Sequence, residues 1–332
     1  MEFTTGGRLE VRITPDDVGK RVSVRQFTES GREGEKFTDT VGVLTSWNDG
    51  VLSITRRTGE SVRIAESSLV AGKSVPPAPA RRRGPSATFP ELARVTARAW
   101  QPVESEALGE WELRAAAGFT RRANSVLAVG DPGRPLAEAL GLVRDWYAAR
   151  GLPSYIQLAM GAEGTQELLA AELSEQGWAS EVSALVRIAA LAPIGDLEAD
   201  VSRVVLSRSF DEAWLSRYKR FGTPGPEVSK VIGSGPSTWF ATVAAPDGGT
   251  PAAIGRCVID GRWAGFMAIE VDPAARRQGL ATAVMAALAR RALEEGASAA
   301  WLQVEEDNTG ARALYDRMGF ETHHSYHHFR SV

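Results

Sequence analysis

The 332-residue chain is 43% hydrophobic and 24% charged, a balance that excludes wholesale disorder and leaves room for two or three packed domains. A formal net charge of −3 removes any global attraction to nucleic acid or an anionic membrane, so neither is an expected partner. Cys257 has no second cysteine to pair with, no apolar run approaches the roughly 20 residues that cross a bilayer, and Met1–Glu10 lacks a signal-peptide core; the expected compartment is the cytoplasm.

From about Leu9 to Val70, short β-type runs (Arg21–Gln26, Thr40–Ser46, Gly50–Thr55, Ser61–Ile64) are divided by the turn signals Asn48-Asp49-Gly50 and Thr58-Gly59-Glu60. They predict a small all-β barrel over residues 1–73. Residues 74–87, with Pro76, Pro77, Pro79, Pro85 and the run Arg81-Arg82-Arg83, have no periodicity and predict a semi-rigid linker. Only five of the 38 basic residues are lysine, so arginine is the default cation and an isolated arginine carries little functional signal.

Beyond the linker the patterning turns to mixed α/β. Helices are predicted over Leu136–Arg150 and Gln166–Gln176 around a strand Tyr155–Leu158. A second series follows: a helix near Asp211–Arg220, strands near Trp239–Ala244, Ala252–Ile259 and Trp263–Val271, a helix over Leu280–Glu295, a strand Ala300–Val304 and a helix Thr309–Met318. The two series are related. Gly151 and Gly296 are 145 residues apart, Gln157 and Gln303 146, and Gly177 and Gly319 142, each marking the same point of a helix-strand-helix unit. The expected organisation is therefore tandem, with a first copy over 88–192 and a second over 193–332.

The chemistry concentrates in the second copy. In Ala268-Ile269-Glu270-Val271-Asp272-Pro273-Ala274-Ala275-Arg276-Arg277-Gln278-Gly279-Leu280-Ala281, a strand runs through a Pro-broken loop into a helix. The unpaired N–H groups and partial positive charge of such a helix start suit a pyrophosphate, and small residues at Gly279 and Ala281 let it reach the backbone. Two other glycine clusters fail on context. Gly72-Lys73-Ser74 has Ser67 where a P-loop needs glycine and Pro76-Pro77 where it needs a helix, while Gly233-Ser234-Gly235 runs into Pro236.

Arg276-x-x-Gly279-x-Ala281 after Val271-x-Pro273 resembles the acetyl-CoA signature of the GNAT N-acetyltransferases. Asn308-x-x-Ala311-x-x-Leu314-Tyr315, followed by Gly319-Phe320, resembles that family's next landmark. The resemblance implies an α/β fold with a mixed sheet, here as tandem GNAT-like domains behind a small all-β barrel, and acetyl transfer from acetyl-CoA to a primary amine by direct attack in a ternary complex, with no metal. It implies a strand carrying Ile269, Glu270 and Val271 that splays from the strand carrying Gln303–Glu305, with the pantetheine arm between them and the Val271 N–H facing the thioester oxygen. The N–H groups of Arg277, Gln278, Gly279, Leu280, Ala281 and Thr282, beside Arg276, would hold the pyrophosphate, and Asn308 the cofactor arm.

Tyr315, seven residues after Asn308, is the expected general acid: a phenol is protonated at neutral pH and can hydrogen-bond a departing thiolate. Twelve residues before it, where family members that act on protein N-termini often carry a glutamate, stands Gln303, which cannot take a proton. Glu270 is the preferred base, Glu305 the second choice, and loss of the proton to water remains open. The acceptor, a small molecule or a protein amine, is not legible. The rival function is an acyl-CoA-binding regulator without turnover.

The four histidines all lie in His323-His324-Ser325-Tyr326-His327-His328; strand alternation divides them between two faces, and a last strand along the substrate groove is expected in preference to a metal site. Cys257 is expected in the core. The first copy is expected to have lost the cofactor: Asp131-Pro132-Gly133-Arg134-Pro135-Leu136-Ala137 is shorter than the loop of the second copy, Pro135 lacks a donor, and Leu173 and Gln166 replace tyrosine and asparagine. Its segments Trp111–Arg114 and Gly118–Ser125 are expected to pack between the copies rather than to shape the acceptor groove.

Overall fold

The computed structural model describes residues 10–27, 37–75, 84–218 and 225–332, so Arg81, Arg82, Arg83 and most of the expected linker lie outside the described residues. The chain divides into two compact units, residues 1–80 with 158–179 and residues 81–157 with 180–332.

In the first unit, β1 (Arg21–Phe27), β2 (Phe37–Asn48), β3 (Val51–Thr55), β4 (Ser61–Ala65) and β5 (Leu69–Ser74) form an antiparallel barrel-like sheet in the order β4-β3-β2-β1-β5. Its strands alternate: Val22, Val24, Leu44, Leu52, Ile54 and Ile64 turn inward and close a core with Ile13. Gly72-Lys73-Ser74 belongs to β5 and so is a strand, not a phosphate loop.

The second region follows in chain order as α1 (Phe89–Arg98), β6 (Glu104–Leu108), β7 (Trp111–Ala115), β8 (Val126–Leu127), α2 (Leu136–Ala148), β9 (Tyr155–Met160), α3 (Glu167–Glu175) and β10 (Trp178–Ala190). It continues through α4 (Ala192–Gly195), β11 (Val204–Ser207), α5 (Glu212–Arg217), α6 (Pro226–Gly233), β12 (Ser237–Val243), β13 (Ala253–Asp260) and β14 (Trp263–Val271) to α7 (Leu280–Glu294), β15 (Ala299–Glu305), α8 (Thr309–Arg317) and β16 (Glu321–Ser331). The repeat is visible as α2-β9-α3-β10 against α7-β15-α8-β16. Helix α3, expected within the first copy, clusters with the barrel unit, where it lies against β2.

One sheet of 11 strands carries both copies, in the order β11-β12-β13-β14-β15-β10-β16-β9-β8-β7-β6. The last strand of each copy has crossed to the other. β10 pairs antiparallel with β15 from Ala184↔Glu305 to Ala190↔Ala299, and β16 lies beside β9. The apolar run Leu185–Ala190 is thus a central strand, and Arg187 within it is buried and bonded to Asp316 and to the Phe320 carbonyl.

Because β16 lies inside the sheet, its histidines do not line an open groove. His324, His327 and His328 are 3%, 1% and 2% exposed. Burial pushes His324 down to about 3 and His327 to about 4. Burial, then Arg122, Arg114 and Arg121, drive His328 well below the usual imidazole range, and both its ring nitrogens lack a hydrogen-bond partner among the described residues.

All three are held neutral by the fold, with folded values below the unfolded one near 6.5. Their contribution is therefore complete above pH ~6.5 and is lost as the pH falls below it, until about 4 for His327 and about 3 for His324, because the unfolded chain takes up protons that the fold refuses. Each removes up to about 1.4 kcal/mol per pH unit while its folded form stays neutral. The thermal midpoint should be flat from pH 8 to 7 and fall steeply between 6.5 and 4.5. His328→Leu, which removes an unpartnered imidazole, should keep the midpoint at pH 7.5 and shed about one proton of the acid slope; scanning calorimetry across pH checks this, and a profile flat down to pH 5 would contradict it.

Candidate functional site

Strands β14 and β15 run parallel and pair at Trp263↔Ala299, Ala264↔Ala300, Gly265↔Trp301 and Phe266↔Leu302. There the pairing ends, although β14 continues to Val271 and β15 to Glu305. A wedge opens beyond Phe266 and Leu302, its backbone groups left to a ligand strand or to water.

A bulge in β14 sets what faces the wedge. The register with β13 is Met267↔Arg256 before it and Glu270↔Ile254 after it, so Ala268 and Ile269 together oppose Gly255, and Ala268 adopts φ +51°. The extra residue reverses the alternation. Phe266 packs in the α7-side core before the bulge and Ile269 and Val271 pack against that core after it. Glu270 is thereby turned to the opposite face, where its register partner Ile254 packs with Trp214 and Tyr218. Gln303 lies on this second face too, two residues after Trp301, which packs with Trp100 and Met267, and Glu305 follows by alternation.

At the top of the wedge the chain passes through a 3-10 turn at Pro273–Ala275 and starts α7 at Gly279. Gly279 has φ +79° and a Cβ there would touch nothing within 4 Å, so the requirement for glycine is conformational and the space beside it is open. Among the described residues no side chain caps α7, leaving the amides of its first turn unclaimed by a capping group there. Arg276, Arg277, Gln278 and Gly279 stand at the surface, whereas Leu280 anchors the helix in the core. Asp272 fixes the loop from below, accepting from the Ala274 N–H at 2.8 Å and from the buried Arg217 of α5, which also donates to the Pro251 carbonyl at 2.7 Å.

Asn308 caps α8, its Oδ1 accepting from the Ala311 N–H at 3.1 Å. Tyr315, two turns on, is 9% exposed and packs in the α7-side core, edge-on to Phe320 at 5.8 Å. Arg187 of β10 holds the helix that carries it, donating to the Arg312 carbonyl at 3.3 Å as well as to Asp316 and the Phe320 carbonyl. Tyr315 and Glu270 thus approach the wedge from opposite faces of the sheet.

Three arginines that carry this geometry look like any others in the sequence. Arg217 and Arg187 each brace an element of the site from a distant segment. The third, Arg122 of the first copy, donates through Nε to Gln303 Oε1 at 2.5 Å and stacks over Trp100 and Tyr326, at 5.5 and 5.9 Å from their ring centroids. Gly118–Ser125 therefore reaches the face of the second copy's wedge, rather than only packing between the copies. The Trp111–Arg114 strand remains structural: Arg114 is buried, with Nε on the Ser125 carbonyl at 2.9 Å and Nη2 on Ser125 Oγ and Gln157 Oε1 at 3.1 and 3.3 Å.

The corresponding loop of the first copy is built differently. β8 and β9 pair one position further than β14 and β15 do, at Leu127↔Gln157, the position equivalent to Gln303, which has no β14 partner. The Glu110 carboxylate accepts from the Asp131 N–H at 2.7 Å, and a Cβ on Gly130 would lie 2.4 Å from it. An anion of the protein's own sits over the loop.

Cys257 is fully buried in the α7-side core and burial pushes its thiol up, away from nucleophilic use. Among the described residues no group of three or more His, Cys, Asp or Glu side chains is placed to hold a metal ion, and no helix is long and apolar enough to cross a membrane.

The family described as "Probable histone acetyltransferase Rv0428c C-terminal" matches residues 87–329. Among individual relatives, "Probable histone acetyltransferase Rv0428c" of Mycobacterium tuberculosis is 26% identical over 316 residues, covering 92% of this chain and 93% of that one. "Uncharacterized N-acetyltransferase YobR" of Bacillus subtilis is 27% identical over 261 residues, covering 72% of this chain and 97% of its own. A solved tandem GNAT protein from the clavulanic acid biosynthesis pathway shares the fold with a TM-score of 0.54 at 13% identity, over 75% of this chain and 90% of that one. With a wedge-bearing mixed sheet, a glycine-started helix at its mouth and a family match over both copies, the chain belongs to this acetyltransferase family, a tandem branch of the GNAT N-acetyltransferases, and is an acyltransferase.

Proposed function

We propose that the second copy transfers an acetyl group from acetyl-CoA to a primary amine by direct attack. The observation that carries this reading is the wedge between β14 and β15 beyond Phe266↔Leu302, which leaves the Val271 end of β14 without a partner on β15. GNAT acetyltransferases use acetyl-CoA as co-substrate. The pantetheine arm fits the wedge, the pyrophosphate fits the open space beside Gly279 against the first amides of α7, and the amide nitrogen of Asn308 is left for the arm once its Oδ1 has capped α8.

The amine nitrogen attacks the thioester carbonyl carbon from the Glu270 face, and the Val271 N–H donates to the oxygen as it becomes an oxyanion. Collapse of the tetrahedral intermediate breaks the C–S bond, and Tyr315, from the other face, gives the leaving sulfur its proton. Glu270 takes the proton lost by the attacking nitrogen, directly or through water, with Glu305 the second choice. This division suits the bulge, which puts the carboxylate and the phenol on opposite sides of the reacting bond. The reaction belongs in the cytoplasm, and the first copy binds no acetyl-CoA because Glu110 covers its loop.

Release of free thiol from acetyl-CoA in the presence of a panel of amines tests the reading; no release with any of them would refute it in favour of a binding protein. Gly279→Asp places a side chain and a negative charge at the anion site in a backbone conformation that L residues rarely adopt, and should weaken acetyl-CoA at least tenfold, about 1.4 kcal/mol. Calorimetry reads this, with near-parental affinity in a folded variant as the opposing result. Tyr315→Phe should lower kcat by roughly 10²-fold with little change in the KM for acetyl-CoA. A rate within twofold of the parent would assign the proton to water. Titration of the full chain should return one equivalent of acetyl-CoA, whereas two would show that the first copy is also a cofactor site.

A further inference from the structure

We propose that the acceptor is a primary amine carrying a carboxylate, and that Arg122, supplied by the first copy, receives that carboxylate at the face of the wedge; the inference rests on the transferase reading above.

Arg122 is a half-buried cation beside the reacting gap, on the face from which the amine comes. Its Nε is fixed on Gln303 Oε1, one residue beyond Leu302, where β14 and β15 part. Its two terminal nitrogens have no partner among the described residues, and neither it nor the neighbouring Arg256 is paired with a carboxylate there. Arg256 is fully buried and stacks on the same Trp100 ring at 4.9 Å, held by the carbonyls of Ala99 and Ser234 at 2.8 and 2.7 Å and by Met267 Sδ at 3.2 Å. Two guanidinium groups thus share one indole, and neither forms an ion pair among the described residues. An unbalanced, partly desolvated positive site of this kind attracts an oxyanion, and the free edge of Arg122 has the fork that a carboxylate matches with two hydrogen bonds.

The loop that presents Arg122 is rigid. Buried Asn124 accepts the N–H groups of Ala116 and Gly118 at 2.8 and 2.9 Å and donates to the carbonyls of Phe119 and Thr120 at 2.6 and 3.0 Å. Gln303 then acquires a purpose. A glutamate in its place would pair with Arg122 and neutralise it; the neutral amide orients the guanidinium and leaves its charge for a ligand. Glu270 stands on the same face, so the site carries a positive and a negative side chain for a zwitterion. A lysine-rich tail would meet Arg122 as a like charge.

The full-length protein is assayed with glycine, β-alanine and glutamate against their carboxamides, and with an acidic peptide, which distinguishes a free amino acid from a peptide-borne carboxylate. Thiol release gives kcat/KM, and calorimetry on the CoA-saturated protein gives binding of the best acid without turnover. The acids should exceed their amides at least tenfold. Arg122→Gln should reduce that ratio to within twofold through the acceptor KM, leaving the KM for acetyl-CoA unchanged, and Gln303→Glu should do the same by pairing with Arg122. Equal use of acids and amides by the native protein, or a ratio that survives both substitutions, would overturn the proposal. Absence of turnover with every amine, while acid binding is present and is lost in Arg122→Gln, would overturn the transferase reading and uphold the carboxylate site. Turnover with acid binding unaffected by Arg122→Gln would do the reverse, and a native protein showing neither would overturn both.

Discussion

A wedge in a β-sheet leaves a row of buried backbone donors and acceptors without partners, and a strand bordering it is held from one side only. In this chain the restraint comes from β10. Past Leu302 the strand β15 has lost β14, yet it remains paired with β10 all the way to Ala184↔Glu305. The gap can therefore stay open with β15 straight, and Gln303 and Glu305 keep fixed positions along its rim. β10 is the last strand of the first copy, so the reactive geometry of the second copy depends on a segment more than a hundred residues upstream, and so does Arg187, which β10 carries to the helix of Tyr315. Reciprocal crossing of β16 ties the two copies into one sheet, so neither copy's sheet is complete without a strand of the other.

The sequence made the local parts of this arrangement legible. Gly279 was readable because a loop-to-helix start with a positive φ selects glycine, and the spacing of Gly151, Gln157 and Gly177 against Gly296, Gln303 and Gly319 disclosed the repeat because each residue punctuates the same local unit. Helix α7 and strands β13 to β15 were readable from periodicity for the same reason. What a chain pairs with across 100 or more residues has no such signature. The run Leu185–Ala190 fits any buried segment, and nothing in it tells that its partners are β15 and β16 rather than β9. The bulge is equally silent: Ala268 is one alanine in an apolar strand, although its φ of +51° decides which face Glu270 serves.

Arginine usage hid the rest. In a chain where arginine supplies most of the positive charge, Arg122, Arg187, Arg217 and Arg256 do not stand out, and only their placement separates them. Arg187 and Arg217 each answer a carboxylate, Asp316 and Asp272, and bind carbonyls besides, so their burial is compensated and their role is to brace. Arg256 and Arg122 answer none. Arg256 is so deeply buried that desolvation pushes it down to about 10; its terminal nitrogens meet only carbonyls and a thioether, and its Nε has no partner among the described residues.

That contrast bears on how the two copies divide their work. An arginine that only braces is best served by a carboxylate, since an uncompensated buried charge is expensive to keep. A position that pairs Arg122 with the neutral Gln303, where a glutamate of the same shape would bring full compensation, forgoes stability at the rim of the reacting gap. The first copy contributes to the second a strand that steadies the wedge, and a cation set in a locked loop on the Gln303 face of β15.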